Sequence, residues 1–119
     1  MDYRSVYEDI MKIDAKIRFV TIFDTNGEIV YTGHREGIQN ILTPEESKRS
    51  LEQAANTWKS RRELEPKLGK GRYVLAVYEK LKRITLPLDS EHLVYVTAEA
   101  DADHKKIIDS LLTLKLSLE

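Results

Sequence analysis

Apolar residues recur along the chain with two different periods, and the switches between them divide it into elements. Tyr3, Val6, Tyr7, Ile10 and Met11 fall at i, i+3, i+4, i+7 and i+8, the stripe of an amphipathic helix of about three turns. A helix that short needs a surface to dock on. Residues 17–23 then alternate. Phe19 and Phe23 share one face, Val20 and Ile22 the other, which predicts a central strand covered on both sides. Asp24-Thr25-Asn26-Gly27 predicts a tight hairpin, with Asn-Gly supplying the positive φ that such a turn needs. Residues 28–32 return as a second strand with Ile29 and Tyr31 on one face.

After a polar loop, Thr43-Pro44-Glu45-Glu46 opens the longest helix, expected to run to about residue 65. Thr43 is the N-cap, Pro44 sits at N1, and Glu46 at N3 can reach back to complete a capping box. Pro66 is expected to stop it, because its ring clashes with the preceding turn. Leu51, Ala54, Ala55 and Trp58 form its apolar stripe. A turn follows over residues 67–71. Residues 72–78 predict a strand with Tyr73, Leu75 and Val77 on one face and Val74 and Ala76 on the other. Glu79-Lys80-Leu81-Lys82 is a polar turn. Residues 83–88 alternate, with Ile84, Leu86 and Leu88 inward and Arg83 and Thr85 outward; Pro87 cannot donate to a ladder and belongs near a strand end. Residues 92–98 form another two-faced strand, Leu93 and Tyr95 opposite Val94 and Val96. Asp101 or Asp103 caps a last helix over residues 102–116, docked through Ile107, Ile108, Leu111 and Leu112 and widened by Leu114 and Leu118.

This order, α-β-β-α-β-β-β-α, predicts an α+β fold: a five-stranded antiparallel sheet with helices on both faces. The long helix should cover one face and the two terminal helices the other. The two-faced strands belong at the centre, so the first hairpin should lie beside strand 92–98, with Phe19 and Tyr95 in the core and strand 72–78 at an edge.

Composition narrows the function. A length of 119 residues fits one domain, and a hydrophobic fraction of 41% supports a core. A net charge of −1 gives no global attraction to nucleic acid or an anionic membrane. The absence of cysteine removes disulfides, thiolate nucleophiles and Cys-type zinc sites. Residues 1–13 lack the apolar stretch of a signal peptide, and no apolar run approaches the ~20 residues needed to cross a bilayer, so a cytoplasmic protein is expected.

No catalytic constellation stands out, so the chain is expected not to be an enzyme. His34, His92 and His104 are scattered without metal-ligand spacing, and no metal or cofactor is expected. Gly69-Lys70-Gly71 is too short for a phosphate loop and precedes a strand, which makes it a turn. Lys59, Arg61, Arg62, Lys67, Lys70 and Arg72 cluster around the end of the long helix, where cations suit the helix dipole. They are either a solvated face or a surface for an anionic ligand or partner. No aromatic residue is interleaved with them as a single-strand binder would want, which disfavours nucleic acid. Trp58 reads first as core, yet the small residues Ala54 and Ala55 beside it would let a second helix approach closely.

The element order, the hairpin Val20-Thr21-Ile22-Phe23-Asp24-Thr25-Asn26-Gly27-Glu28-Ile29-Val30, the long helix after a loop, and the run Leu86-Pro87-Leu88-Asp89-Ser90-Glu91-His92-Leu93-Val94-Tyr95-Val96 together resemble the roadblock/dynein light-chain superfamily, a profilin-like fold. The chain is also similar to short archaeal proteins with the same Tyr78-Glu79-Lys80-Leu81-Lys82-Arg83 and Leu86-Pro87-Leu88-Asp89 stretches. Roadblock proteins dimerise and serve as adaptors or regulators of small GTPases without catalytic residues of their own. The resemblance, with the exposed strand edge, implies a homodimer through Leu51, Ala54, Ala55, Trp58, Tyr73, Leu75 and Val77. Two alternatives stay open: a PAS-like sensory domain, which needs a cavity between the sheet and the long helix, and an anion or nucleic-acid binder using the basic cluster.

Overall fold

The computed structural model describes residues 1–118. In chain order they form α1 (Tyr3–Met11), β1 (Ile17–Asp24), β2 (Ile29–His34), α2 (Pro44–Arg62), the short α3 (Glu65–Leu68), β3 (Val74–Val77), β4 (Leu81–Pro87), β5 (His92–Glu99) and α4 (His104–Leu118). The five strands make one antiparallel sheet in the order β2-β1-β5-β4-β3. The two strands with apolar side chains on both faces, β1 and β5, are neighbours at its centre, as double coverage requires. β3 closes one end, paired only with β4.

Each face of the sheet has its own core. On one side, Val20, Ile22, Ile84, Leu86, Val94 and Val96 are buried under Val6 and Ile10 of α1 and Ile107, Ile108 and Leu111 of α4. Leu112, Leu114 and Leu118 pack at the margin of this cluster, which accounts for the wide apolar arc of α4. On the other side, Phe23, Leu93 and Tyr95 are buried with Leu51, Ala55 and Trp58 of α2.

α2 begins as its sequence requires. The Thr43 hydroxyl accepts from the Glu46 amide at 3.2 Å, and the Glu46 carboxylate accepts from the Thr43 amide at 2.9 Å. Its end differs from expectation. The helix stops at Arg62, and Pro66 falls in the first turn of α3, where a missing N–H costs nothing. The proline therefore starts a new turn instead of ending the old helix. Asp103 caps α4 through the Lys106 amide, so the helix starts slightly later than expected.

Two register shifts change which residues face which way. Between Ile17 and Phe19 the pairing with β5 slips, so Ile17 joins Val20 and Ile22 on the α1/α4 side despite its odd spacing from them. A second shift lies opposite Ile22 and Phe23, which pair with Tyr31 and Ile29. Val30 is the extra residue, and it turns Ile29 and Tyr31 to opposite faces, against the alternation read from the sequence. Tyr31 packs with Tyr7 of α1, ring centroids 5.2 Å apart. In the hairpin, Gly27 alone has a positive φ, 87°. A Cβ there would also meet the Glu52 backbone at 3.1 Å, so a side chain would add crowding against α2 to the strain of the positive φ.

β3 is shorter than residues 72–78, and Leu81 and Lys82 belong to β4, not to the turn before it. Pro87 sits at the last pair of β4, opposite Leu93. Arg83 and Thr85 do not face solvent: their side of β4 lies on the α2 face, where Thr85 is buried and Arg83 half-buried. Phe19 is half-buried, not core, because α2 lies over the hairpin end of the sheet and leaves Phe19 near the other end.

One residue without a sequence signature ties the fold together. Arg35, in the loop after β2, donates from Nε to the Ile17 carbonyl at 2.8 Å and from Nη2 to the Met11 and Asp14 carbonyls, both at 2.9 Å. It satisfies the frayed end of α1 and the link to β1 at once. Arg35→Ala should cost about 1.5–3 kcal/mol, the range for hydrogen bonds to a charged group. A urea midpoint unchanged from the parent would show that these contacts are not formed in solution.

Candidate functional site

Three features could carry function. The first is the helix and strand surface expected to pair two copies. Leu51, Ala55 and Trp58 point onto the sheet and are buried, so they anchor α2 to its own protomer. Their spacing is the ordinary stripe by which a helix covers a sheet. Ala54 is half-buried on the flank of α2, and Leu75 packs against the α1/α4 core. Tyr73 and Val77 remain outside, 44% and 62% exposed, at the free end of the sheet.

The second feature is the basic cluster. Lys59, Arg61, Lys67, Lys70 and Arg72 are exposed and Arg62 is half-buried. Lys59 donates to the Asn26 side chain at 3.2 Å, which ties α2 to the hairpin. Lys59, Arg61 and Arg62 fall in the last turn of α2, at the negative end of its dipole.

The third feature is a groove of about 730 Å³ between the sheet and α2. It is the space the sensory reading requires. α2 covers the hairpin end of its sheet face, and Asn40, Ile41 and Leu42 of the loop before it line the groove. Asn40 holds this loop in shape, accepting from the Leu42 amide at 3.0 Å and donating to Ser47 at 2.9 Å. Ile41, 52% exposed, forms part of the wall, with Leu42, Leu51, Phe19 and Tyr95.

The polar groups of the groove fall into satisfied and unsatisfied sets. Thr21 and Thr32 share a hydrogen bond of 2.8 Å across β1 and β2. The Tyr95 hydroxyl lies 3.0 Å from Ser50 of α2. Burial pushes the Tyr95 phenol up, the Ser50 bond and the Arg83 charge offsetting part of this, so it stays neutral. Arg18 pairs with Glu99 at 2.9 Å and donates to the Gln39 carbonyl at 3.0 Å. Arg83 differs. Its guanidinium lies 4.8 Å from the centre of the Tyr95 ring and 5.3 Å from that of Tyr78, and its one hydrogen bond is a long one, 3.4 Å, to the Tyr78 hydroxyl. Its Nε is buried without a partner, as is the hydroxyl of Thr97, its cross-strand neighbour.

The three histidines lie far apart in role. His92 binds Asp89 at 2.9 Å, His104 lies 3.0 Å from the Lys82 amine, and His34 contacts the Arg35 carbonyl. Among the described residues, no group of three His, Asp or Glu side chains is placed to hold a metal. No described helix is long and apolar enough to cross a membrane.

The groove was missed in the sequence because its walls come from five separate segments. Ile41 and Leu42, an apolar pair inside a polar loop, were the available signal, and Arg83 between strand residues was another.

The fold that positions these features is a known one. A Roadblock/LC7 domain from Streptomyces avermitilis superposes with a TM-score of 0.72 at 13% identity, covering 99% of this chain and 93% of that one. The gliding protein MglB from Thermus thermophilus matches with a TM-score of 0.69 at 11% identity, over 96% and 88% of the two chains. Profilin II from Acanthamoeba castellanii matches with a TM-score of 0.61 at 12% identity, over 96% and 94%. The chain therefore has the Roadblock/LC7 form of the profilin-like fold. No protein-family model matches it, and no curated protein does. Nothing in these comparisons shows the likeness to archaeal proteins.

Proposed function

We propose that this chain is a non-enzymatic, homodimeric interaction module that serves as an adaptor or regulator, with a small GTPase as the partner class that the roadblock resemblance implies. The observation that carries the proposal is the free edge of β3. That strand ends the sheet, no described strand pairs with its outer side, and Val77 and Tyr73 stand exposed beside it. An open edge with apolar side chains is a template for another strand. In a two-fold dimer each β3 meets its own copy and the two sheets become one. A solved structure of the same fold is described as MglB with a tetrameric arrangement, which supports self-association as such. Of the residues first assigned to this interface, Tyr73, Val77 and Ala54 contact the second copy. Leu51, Ala55, Trp58 and Leu75 support it from within the protomer.

Sedimentation equilibrium at micromolar concentration tests the assembly, and a mass of two chains is expected. A mass of one chain with the fold intact would remove this reading. The partner class is tested by capture of a purified small GTPase on the immobilised protein in each nucleotide state.

A further inference from the structure

The groove between the sheet and α2 holds a charge that two tyrosine rings flank but no acid neutralises. Among the described residues Arg83 pairs with no carboxylate, whereas Arg18 on the same groove wall pairs with Glu99. A buried guanidinium Nε without an acceptor is uncommon in folded proteins, and a second unpartnered group beside it is more so. That second group is the hydroxyl of Thr97, a residue only 8% exposed. The two stand opposite each other in adjacent strands, both on the groove wall. Next to them are flat apolar surfaces: the Tyr95 and Tyr78 rings around the guanidinium, and Phe19 paired with Thr97 on the far side. Lys80 adds a second cation to this end, while Glu79 is the single acid of the wall and sits exposed at its rim.

An apolar cleft of this size with a few convergent polar groups is the usual form of a small-molecule site. We propose that the groove binds a small, flat, apolar organic acid. Its acidic head group pairs with Arg83 and Lys80, and its body lies across Phe19 and Tyr95 toward Ile41. A guanidinium presents paired donors that match a carboxylate or sulfonate, and the ring faces hold it in one plane. The charge selects an acid over a base, and the aromatic floor favours a planar body. The inference does not require the dimer, since none of these residues lies in β3.

The test uses a matched pair of fluorescent probes with one ring system, anilinonaphthalene sulfonate and its uncharged counterpart N-phenylnaphthylamine. Both are titrated into the full chain at low salt. The charged probe should bind saturably at one site per chain and more tightly than the neutral one. Arg83→Gln should weaken the charged probe about tenfold, the size of one charge-assisted contact, and leave the neutral probe unchanged. An unchanged near-UV circular dichroism spectrum and urea midpoint show that this variant is folded, since such probes also bind partly folded chains. Ile41→Glu, at an exposed position on the wall, should weaken both probes. Absence of saturable binding would overturn the proposal, as would a preference for the charged probe that survives Arg83→Gln. Loss of binding as the protein concentration rises would also overturn it and assign the groove to a second copy of the chain.

Discussion

Phe23→Ala should destabilise the protein by about 3–5 kcal/mol, and Phe19→Ala, two turns of the pleat away on the same strand, by only about 1–2 kcal/mol. The two residues share chemistry, and the sequence pattern puts them on one face of β1. Their surroundings differ. Phe23 is fully buried, edge-on to Tyr95 with ring centroids 6.3 Å apart, beneath Leu51, Ala55 and Trp58. Removing it leaves a cavity at the centre of that cluster, between α2 and the sheet. Phe19 lies beyond the reach of α2. It is half-buried, with its ring 5.2 Å from that of His34 and its outer side on the groove. Truncating it enlarges a groove that is already open instead of creating a cavity in the core. Urea denaturation with an unchanged m-value gives both differences directly. Equal costs for the two variants would mean that α2 covers the whole sheet face and that the groove is closed in solution.

This contrast also marks where sequence patterns carry information and where they stop. The strand order followed from two-faced apolar runs, since residues such as Val20 and Phe23, or Val94 and Leu93, can be buried together only at the centre of a doubly covered sheet. The capping box at Thr43 was equally legible, because it depends on residues three positions apart. What was not legible depends on register or on distant segments. The extra residue Val30 has no composition of its own, yet it separates Ile29 from Tyr31. Arg35 is one arginine in a polar loop, and only the fold brings three carbonyls to it. The outward side of β4 looked solvated because Arg83 and Thr85 are polar, whereas the sheet turns that side toward α2. The stripe on α2 pointed to two uses, core and interface, with the same residues. A helix has one apolar face, and here the sheet takes it.

The remaining expectation concerns the edge that α2 does not reach. Val77→Lys should break the homodimer while leaving the protomer folded. Val77 is 62% exposed and lies at the end of a four-residue strand with one neighbour, so a lysine there costs the protomer no more than about 0.5 kcal/mol. In the dimer the same position lies within the joined sheet. Two-fold symmetry brings two new ammonium groups near each other, in a region that already carries Lys70, Arg72 and Lys80. A lysine on an edge strand is also the common device by which sheets avoid pairing with one another. The dissociation constant should rise by tenfold or more, equivalent to about 1.4 kcal/mol, and the effect should shrink at high salt as the charges are screened. Leu75→Lys is the poorer test, because Leu75 packs against the α1/α4 core and its loss weakens the fold itself. A charge at Ala55 has the same defect, since that residue is buried between α2 and the sheet. Sedimentation equilibrium of parent and Val77→Lys, each checked by circular dichroism, separates the outcomes. A two-chain parent and a one-chain variant would locate the interface at β3. A variant that stays dimeric at low salt would move it elsewhere, to the exposed polar face of α2 or to the β2 edge on the opposite side of the sheet.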